Sequence, residues 1–202
     1  GGTFAYADLL HEIGHTLGLT HVHNNDNASD YTSGLANLRG TFTYFLGDGT
    51  STYSTANLYR AWFTMMSYDY GSRPNSLTPM IEDVIVLGEK YGVGDHNIGN
   101  SVYSYGNGAF VASRYKTIVD TAGIDTIDLS DRSYAMRIEL GRDIGATYKV
   151  GIVVSESGWS AIHNTNGGDP GSLNWLYGDF ENAVGGSGND VINGNSIANS
   201  LV

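Results

Sequence analysis

The chain contains no cysteine, three prolines and ten lysines and arginines among its 202 residues. Without thiols it has neither a disulfide framework nor a thiolate metal site, which leaves imidazole and carboxylate as its ligand chemistry. The shortage of cations stands against 21 aspartates and glutamates, for a formal net charge of -11. Such a surface repels a phosphate backbone and an anionic bilayer, so neither nucleic acid nor a membrane is an expected partner. No apolar run reaches the roughly 18 residues that a membrane span needs, and no basic-then-apolar leader precedes the first helix. The chain opens on Gly1-Gly2-Thr3 and reads as processed or partial. What it does have is 28 glycines and 41% hydrophobic residues, enough for a packed core in one large domain or two small ones.

The most informative segment is His11-Glu12-Ile13-Gly14-His15-Thr16-Leu17-Gly18-Leu19-Thr20-His21. On a helix, positions four apart share a face, so His11 and His15 can turn ring nitrogens toward one zinc ion. Glu12 stands beside that ion without having to bind it. A straight helix would carry His21 roughly 15 Å from His11 at 1.5 Å per residue. Gly18 resolves this, because a glycine accepts the left-handed conformation that ends a helix and lets the chain fold back. His23, two residues on in a polar Asn/Asp stretch, reads as a solvated loop residue.

Residues 3 to 17 are expected to form this helix, with Tyr6, Leu9, Leu10, Ile13 and Leu17 as an apolar stripe behind the histidines. From about 24 to 62 the composition predicts a long loop layer with short strands near Thr41 to Phe45. Thr78-Pro79-Met80 predicts a helix start, with Thr78 as cap and Pro79 in the first turn, and Gly92 its stop. Beyond Gly92 short β-prone segments follow: 101–105, 109–119, 126–129, 135–140 and 148–154. Gly185-Gly186-Ser187-Gly188-Asn189-Asp190-Val191-Ile192-Asn193 fits a nine-residue calcium repeat, with 194–202 as a degenerate copy. Its turns offer backbone carbonyls and the Asp190 carboxylate to a hard cation, although Gly-Asn-Asp also makes ordinary tight turns.

The zinc motif followed by Thr64-Met65-Met66-Ser67-Tyr68 resembles the metzincin metalloproteases, and the Ser-Tyr, the Thr-Pro-Met-Ile-Glu-Asp helix and the terminal repeat resemble their serralysin branch. Val22 departs from the proline that serralysins carry after the third histidine; the astacin branch fits less well, for want of a Glu there and of disulfides. The resemblance implies an α+β fold: the lower part of a metzincin catalytic domain over 1–93, then a calcium-binding parallel β-roll over 94–202. It implies a secreted bacterial zinc endopeptidase in which His11, His15 and His21 bind Zn2+ and Glu12 is the general base for a zinc-bound water. Met66 would be the floor of the site, otherwise plain core packing, and Tyr68 a phenol that binds zinc or swings toward substrate. Structural Ca2+ is implied at Asn97, Gly99 and Ser101, at Asp120, Ala122, Gly123 and Asp125, and at Asp179 and Glu181, with Gly185, Gly186, Gly188 and Asp190 as a further site. From the residues alone those carboxylates are acids in turns, for which solvation is the ordinary explanation. Implied partners are polypeptide substrates, a proteinaceous protease inhibitor and a separate chain carrying the N-terminal half of the catalytic domain. The alternative is an inert fragment whose β-roll serves as a folding or interaction module.

Overall fold

The computed structural model describes residues 4–21, 60–68, 76–144, 148–163 and 169–202. Most of the expected loop layer, its strands near Thr41 to Phe45 and His23 lie outside the described residues. The architecture is α+β, with three helices and nine strands among the described residues.

Helix α1 spans Phe4–Thr16. Its apolar residues do not form one buried stripe, as the spacing predicts. Leu10 packs on the core and the Tyr6 hydroxyl donates to the Leu77 carbonyl, whereas Leu9 (56%), Ile13 (42%) and Leu17 (37%) are exposed. The buried face is the one carrying His11 and Gly14, against which the 62–66 segment lies, and it is rotated away from the Leu9-Ile13-Leu17 row.

Helix α2 spans Ile81–Tyr91. Met80, not Thr78, is its cap: the Asp83 carboxylate accepts the Met80 N–H at 2.8 Å. Thr78 is drawn off to the strand Tyr115–Val119, where its hydroxyl oxygen accepts the Thr117 N–H at 2.8 Å. At the other end Gly92, at φ 83°, stops the helix where expected.

The remainder is built from two sheets. Strands β1 (Val102–Ser104), β3 (Thr126–Asp128), β7 (Asn182–Val184) and β9 (Ser200–Leu201) pair in that order, all parallel. The second sheet runs in the order β2 (Tyr115–Val119), β6 (Leu173–Tyr177), β5 (Tyr148–Ser155), β4 (Met136–Ile144) and β8 (Val191–Asn193). It corrects the expectation of a wholly parallel roll, since β4 with β5 and β5 with β6 are antiparallel. The reversals come from a β4–β5 hairpin and from helix α3 (Glu156–Ile162), which follows β5 directly and turns the chain back toward β6. Of the predicted 109–119 strand only Tyr115–Val119 is one; Phe110 instead inserts into the core from a turn.

Toward the end the regularity becomes that of a solenoid. Strands β7, β8 and β9 begin nine residues apart and alternate between sheets, so β9 lands on β7 with Asn182 opposite Ser200.

Two cores result. One fills the space between the sheets, with Ile127, Ile138, Val153, Leu176 and Phe180 fully buried. The other joins α2 and the 62–66 segment to the outer face of the second sheet, through Trp62, Phe63, Met66 and Ile85 against Tyr115, Ile152 and Trp175. Strand alternation assigns them: on β5, Val150, Ile152 and Val154 face the helices and Val153 faces the other sheet. Trp175 ties the layers further, its indole N–H donating to the Trp62 carbonyl.

Candidate metal centre

Helix α1 ends in a Schellman arrangement: the Leu19 N–H donates to the Gly14 carbonyl at 2.9 Å and the Gly18 N–H to the His15 carbonyl at 2.9 Å. Gly18 takes φ 83°, a left-handed conformation that costs a side-chain-bearing residue dearly. The reversal aims the chain back along the helix, and His21 returns to the face that carries His11 and His15.

The three imidazoles converge. His21 Nε2 lies 3.0 Å from His11 Nε2 and 3.0 Å from His15 Nε2. Among the described residues this trio forms a group of three whose ligand atoms all lie within 4.8 Å of one another. Three nitrogens of a tetrahedral zinc with bonds of ~2.1 Å stand about 3.4 Å apart, so the set fits that ion with a small outward adjustment.

The other ring nitrogens decide which form each imidazole takes. His11 Nδ1 is 2.9 Å from the Met65 carbonyl and His15 Nδ1 is 2.9 Å from the Leu19 carbonyl. A carbonyl oxygen only accepts, so both Nδ1 atoms carry the proton and both Nε2 atoms present a lone pair to the shared point. Such backbone partners orient metal-binding histidines.

Beneath the trio lies the methionine turn. Met66 is fully buried, and a Cβ at Gly14 would stand 2.5 Å from its sulfur and 2.9 Å from the Met65 methyl. Gly14 is therefore where the helix admits the turn. The turn is held from below by Asp83, a fully buried carboxylate that accepts the Thr64 hydroxyl at 2.7 Å, the Met65 N–H at 2.7 Å and the Met80 N–H at 2.8 Å. One residue thus caps α2 and fixes the strand of backbone whose carbonyl orients His11. Sequence reasoning missed this role; the signal available was an Asp in the first turn of a helix lacking a cap side chain. Tyr68 is 53% exposed, its ring 5.5 Å from that of His11 and 4.2 Å from that of His21. Glu12 is exposed, one position past His11 and about 100° around the helix axis.

Of the residues singled out for calcium, those at 97–101, 120–125 and 179–181 precede β1, β3 and β7 at one end of the first sheet, and those at 185–190 follow β7 at its other end. Asp120 and Asp125 are buried, and Glu181 is partly buried. Asp120 accepts the Tyr103 hydroxyl and the Ala122 N–H, and Glu181 accepts the Asp125 N–H at 2.7 Å. Asp125 Oδ1 accepts the Ser101 N–H at 2.8 Å, while its buried Oδ2 has no hydrogen-bond partner among the described residues. Burial, reinforced by the negative charges of Asp120 and Glu181, pushes the Asp125 carboxyl up to about 6. The Tyr103 phenol is also pushed up, by burial and by its bond to Asp120. The oxygens of the three carboxylates do not all come within 4.8 Å of one another. Asn97 and Gly99 are exposed nearby, Asn97 donating to the Val119 carbonyl and the Gly99 carbonyl accepting the Ser101 hydroxyl. Asp179 points elsewhere, to the Lys149 ammonium at 2.7 Å. Asp190 closes its own turn, accepting the Gly186 N–H at 2.6 Å and the Met136 N–H at 2.8 Å. Gly123 and Gly188 sit where backbone crowds in, from Gly99 and Tyr134 respectively.

No family model matches the chain. It is 31% identical to serralysin of Photorhabdus laumondii over 212 aligned positions, covering 96% of this chain and 37% of that protein. The metalloprotease AprA of Pseudomonas entomophila is 28% identical, covering 99% of this chain and 39% of its own length. The chain is a serralysin homologue over part of the serralysin length. Serralysin C of Dickeya chrysanthemi, 29% identical over 91% of the chain, aligns in the same partial way. The chain spans less than two fifths of the length of these curated relatives. That nearly the whole chain aligns with serralysins means that the helical part and the sheets belong to one continuous stretch of the relatives. Among the described residues no helix is long and apolar enough to cross a membrane.

Proposed function

We propose that the chain carries the zinc centre of a secreted bacterial endopeptidase that hydrolyses internal peptide bonds. The observation that carries this reading is the convergence of three Nε2 atoms, with the Nδ1 atoms of His11 and His15 on backbone carbonyls. Zinc held there supplies Lewis acidity, polarising a carbonyl and lowering the pKa of water toward about 7. Glu12, exposed beside the trio, takes the proton of the attacking water and later gives it to the leaving amine. Tyr68, lying over His11 and His21, is placed to donate its hydroxyl proton to the developing oxyanion or to add a ligand. Met66 and Gly14 form the apolar floor.

The residues over 94–202 are read as a calcium-dependent roll packed beneath this centre, and 1–93 as the zinc-bearing part. Asp125 supports the calcium assignment: a cation at its buried, unpartnered oxygen would offset the burial of charge beside Asp120 and Glu181. A roll that needs millimolar calcium fits a protein that works outside the cell. Polypeptides are the substrates, and proteinaceous inhibitors the matching antagonists. Because the chain spans less than two fifths of its relatives, activity is proposed together with the remainder of the catalytic domain, whether joined or separate.

The test is zinc content by elemental analysis with casein hydrolysis in calcium, for the chain alone and with any co-purifying polypeptide. Stoichiometric zinc and chelator-sensitive hydrolysis are expected. Zinc without hydrolysis in either preparation favours the inert module, and absence of zinc overturns the metal centre.

A further inference from the structure

The end of α1 is fastened by the end of α2. The Schellman arrangement satisfies the Gly14 and His15 carbonyls and leaves that of Leu17, the residue just before the Gly18 reversal, pointing away from the helix. It accepts the Tyr91 hydroxyl at 2.9 Å and the Lys90 ammonium at 3.4 Å. These donors stand 73 and 74 residues away in sequence. Lys90 brings a positive charge to the negative end of the α1 dipole, where it is favourable. A Cβ on Gly18 would stand 2.3 Å from its Nζ, so the glycine that permits the reversal also makes room for the ammonium.

Leu19 anchors the far side of the reversal by its burial in the core, whereas packing on the Leu17 side is thin. An apolar hollow of about 240 Å³ lies beside it, lined by Leu17, Leu87, Gly88, Tyr91 and Val93 among others, and Tyr91 itself is 62% exposed. On that side the two polar bonds to the Leu17 carbonyl tie α1 to the end of α2. On one side of that carbonyl is His15, whose Nδ1–H is bonded to the Leu19 carbonyl; on the other is the turn that delivers His21.

We infer that Tyr91 and Lys90 are positioning residues for the metal centre, holding the Leu17 carbonyl so that the Gly18 turn presents His21 to the nitrogens of His11 and His15. The inference rests on the metal-centre reading proposed above. Its basis is that His21, unlike its two partners, is not on α1, so its place depends on the angle of this turn. A drift of the turn displaces His21 itself, reaches His15 only through the Leu19 carbonyl on its Nδ1, and leaves His11 in place.

The experiment is a double-mutant cycle read by zinc affinity, measured by competition with a chromophoric chelator in the full chain. Tyr91→Phe keeps the ring and removes the donor; Lys90→Met keeps the stem and removes the charge. Together they are expected to weaken zinc binding about three- to tenfold, as loss of one or two exposed hydrogen bonds implies. In a His21→Ala background the same pair is expected to change affinity less than twofold, because the ligand it positions is gone. Lys90→Arg, which retains a cationic donor, is expected to restore most of the lost affinity in the Lys90 single variant. Equal weakening with and without His21 would mean general destabilisation and overturn the inference, as would unchanged affinity in the first background; both leave the metal centre standing. A parent chain that takes up no zinc overturns the metal centre itself.

Discussion

The two polar centres of this molecule are built in opposite ways. The histidine trio comes from eleven consecutive residues, and the Nδ1 atoms of His11 and His15 face backbone carbonyls. The carboxylate turns bring Asp120 and Asp125, from the connection between β2 and β3, together with Glu181 just before β7, and the acids remain in conflict, with a buried Asp125 oxygen lacking a hydrogen-bond partner among the described residues. A set of neutral ligands can be preorganised before its ion arrives, because lone pairs on imidazoles repel one another weakly. A set of anions cannot, since each charge raises the cost of the next. On the proposed reading the first centre is preorganised for its ion, and the second is one that a cation would complete.

The sharpest way to break this comparison is to remove chemistry while keeping the ligands. Glu12→Gln is expected to lower peptide hydrolysis by about 10²–10⁴-fold while zinc content stays near that of the parent; activity at parental level would remove Glu12 from the mechanism. Next in size is the support beneath the trio. Asp83→Ala strands the Thr64 hydroxyl and the Met65 and Met80 N–H groups in a buried site and is expected to cost about 3 kcal/mol or more in chemical denaturation, with zinc affinity falling alongside. A loss under 1 kcal/mol would show that the methionine turn holds itself. Gly14→Ala forces a methyl against the Met66 sulfur and should cost about 1–3 kcal/mol by overpacking, with the roll's own stability unchanged in limited proteolysis.

The smallest expected effect concerns the second centre. Because the folded Asp125 carboxyl stands at about 6, above its ordinary value, the folded chain binds the extra proton more tightly than the unfolded one. In chelator, this residue's contribution to stability is full below pH ~4 and is lost as pH rises through about 6. Thermal midpoints should accordingly fall across that window relative to Asp125→Asn. Millimolar calcium should reverse the slope by favouring the ionised form. A midpoint difference that ignores both pH and calcium would leave Asp125 an ordinary buried acid.

Legibility followed sequence distance. The trio, the Gly18 reversal and the Gly92 stop could be read because each depends on neighbours within one or two turns of helix. The α2 start was misplaced for the same reason inverted: Thr78 is a good cap locally, but β2 claims its hydroxyl oxygen through the Thr117 N–H. The apolar row Leu9-Ile13-Leu17 has helical spacing, yet it faces outward because the 62–66 segment approaches a different side of α1. The antiparallel β4–β5–β6 meander and helix α3 interrupt what the family resemblance implies to be a parallel roll. No periodicity over nine residues could signal a hairpin inserted between distant turns.

By itself the sequence determined the ligand chemistry, through the absence of thiols and the spacing of imidazoles on one helix, and it determined where glycine must reverse the chain. Only the tertiary structure decided what stands behind those ligands: the Met65 carbonyl on His11, Asp83 under the methionine turn, Tyr91 and Lys90 on the Leu17 carbonyl, and the face of the second sheet on which Trp62 and Phe63 rest. Spacing along a helix is a property of backbone geometry and is fixed within a few residues. The partners of a backbone carbonyl are set by which distant surfaces pack together, and no local pattern encodes that.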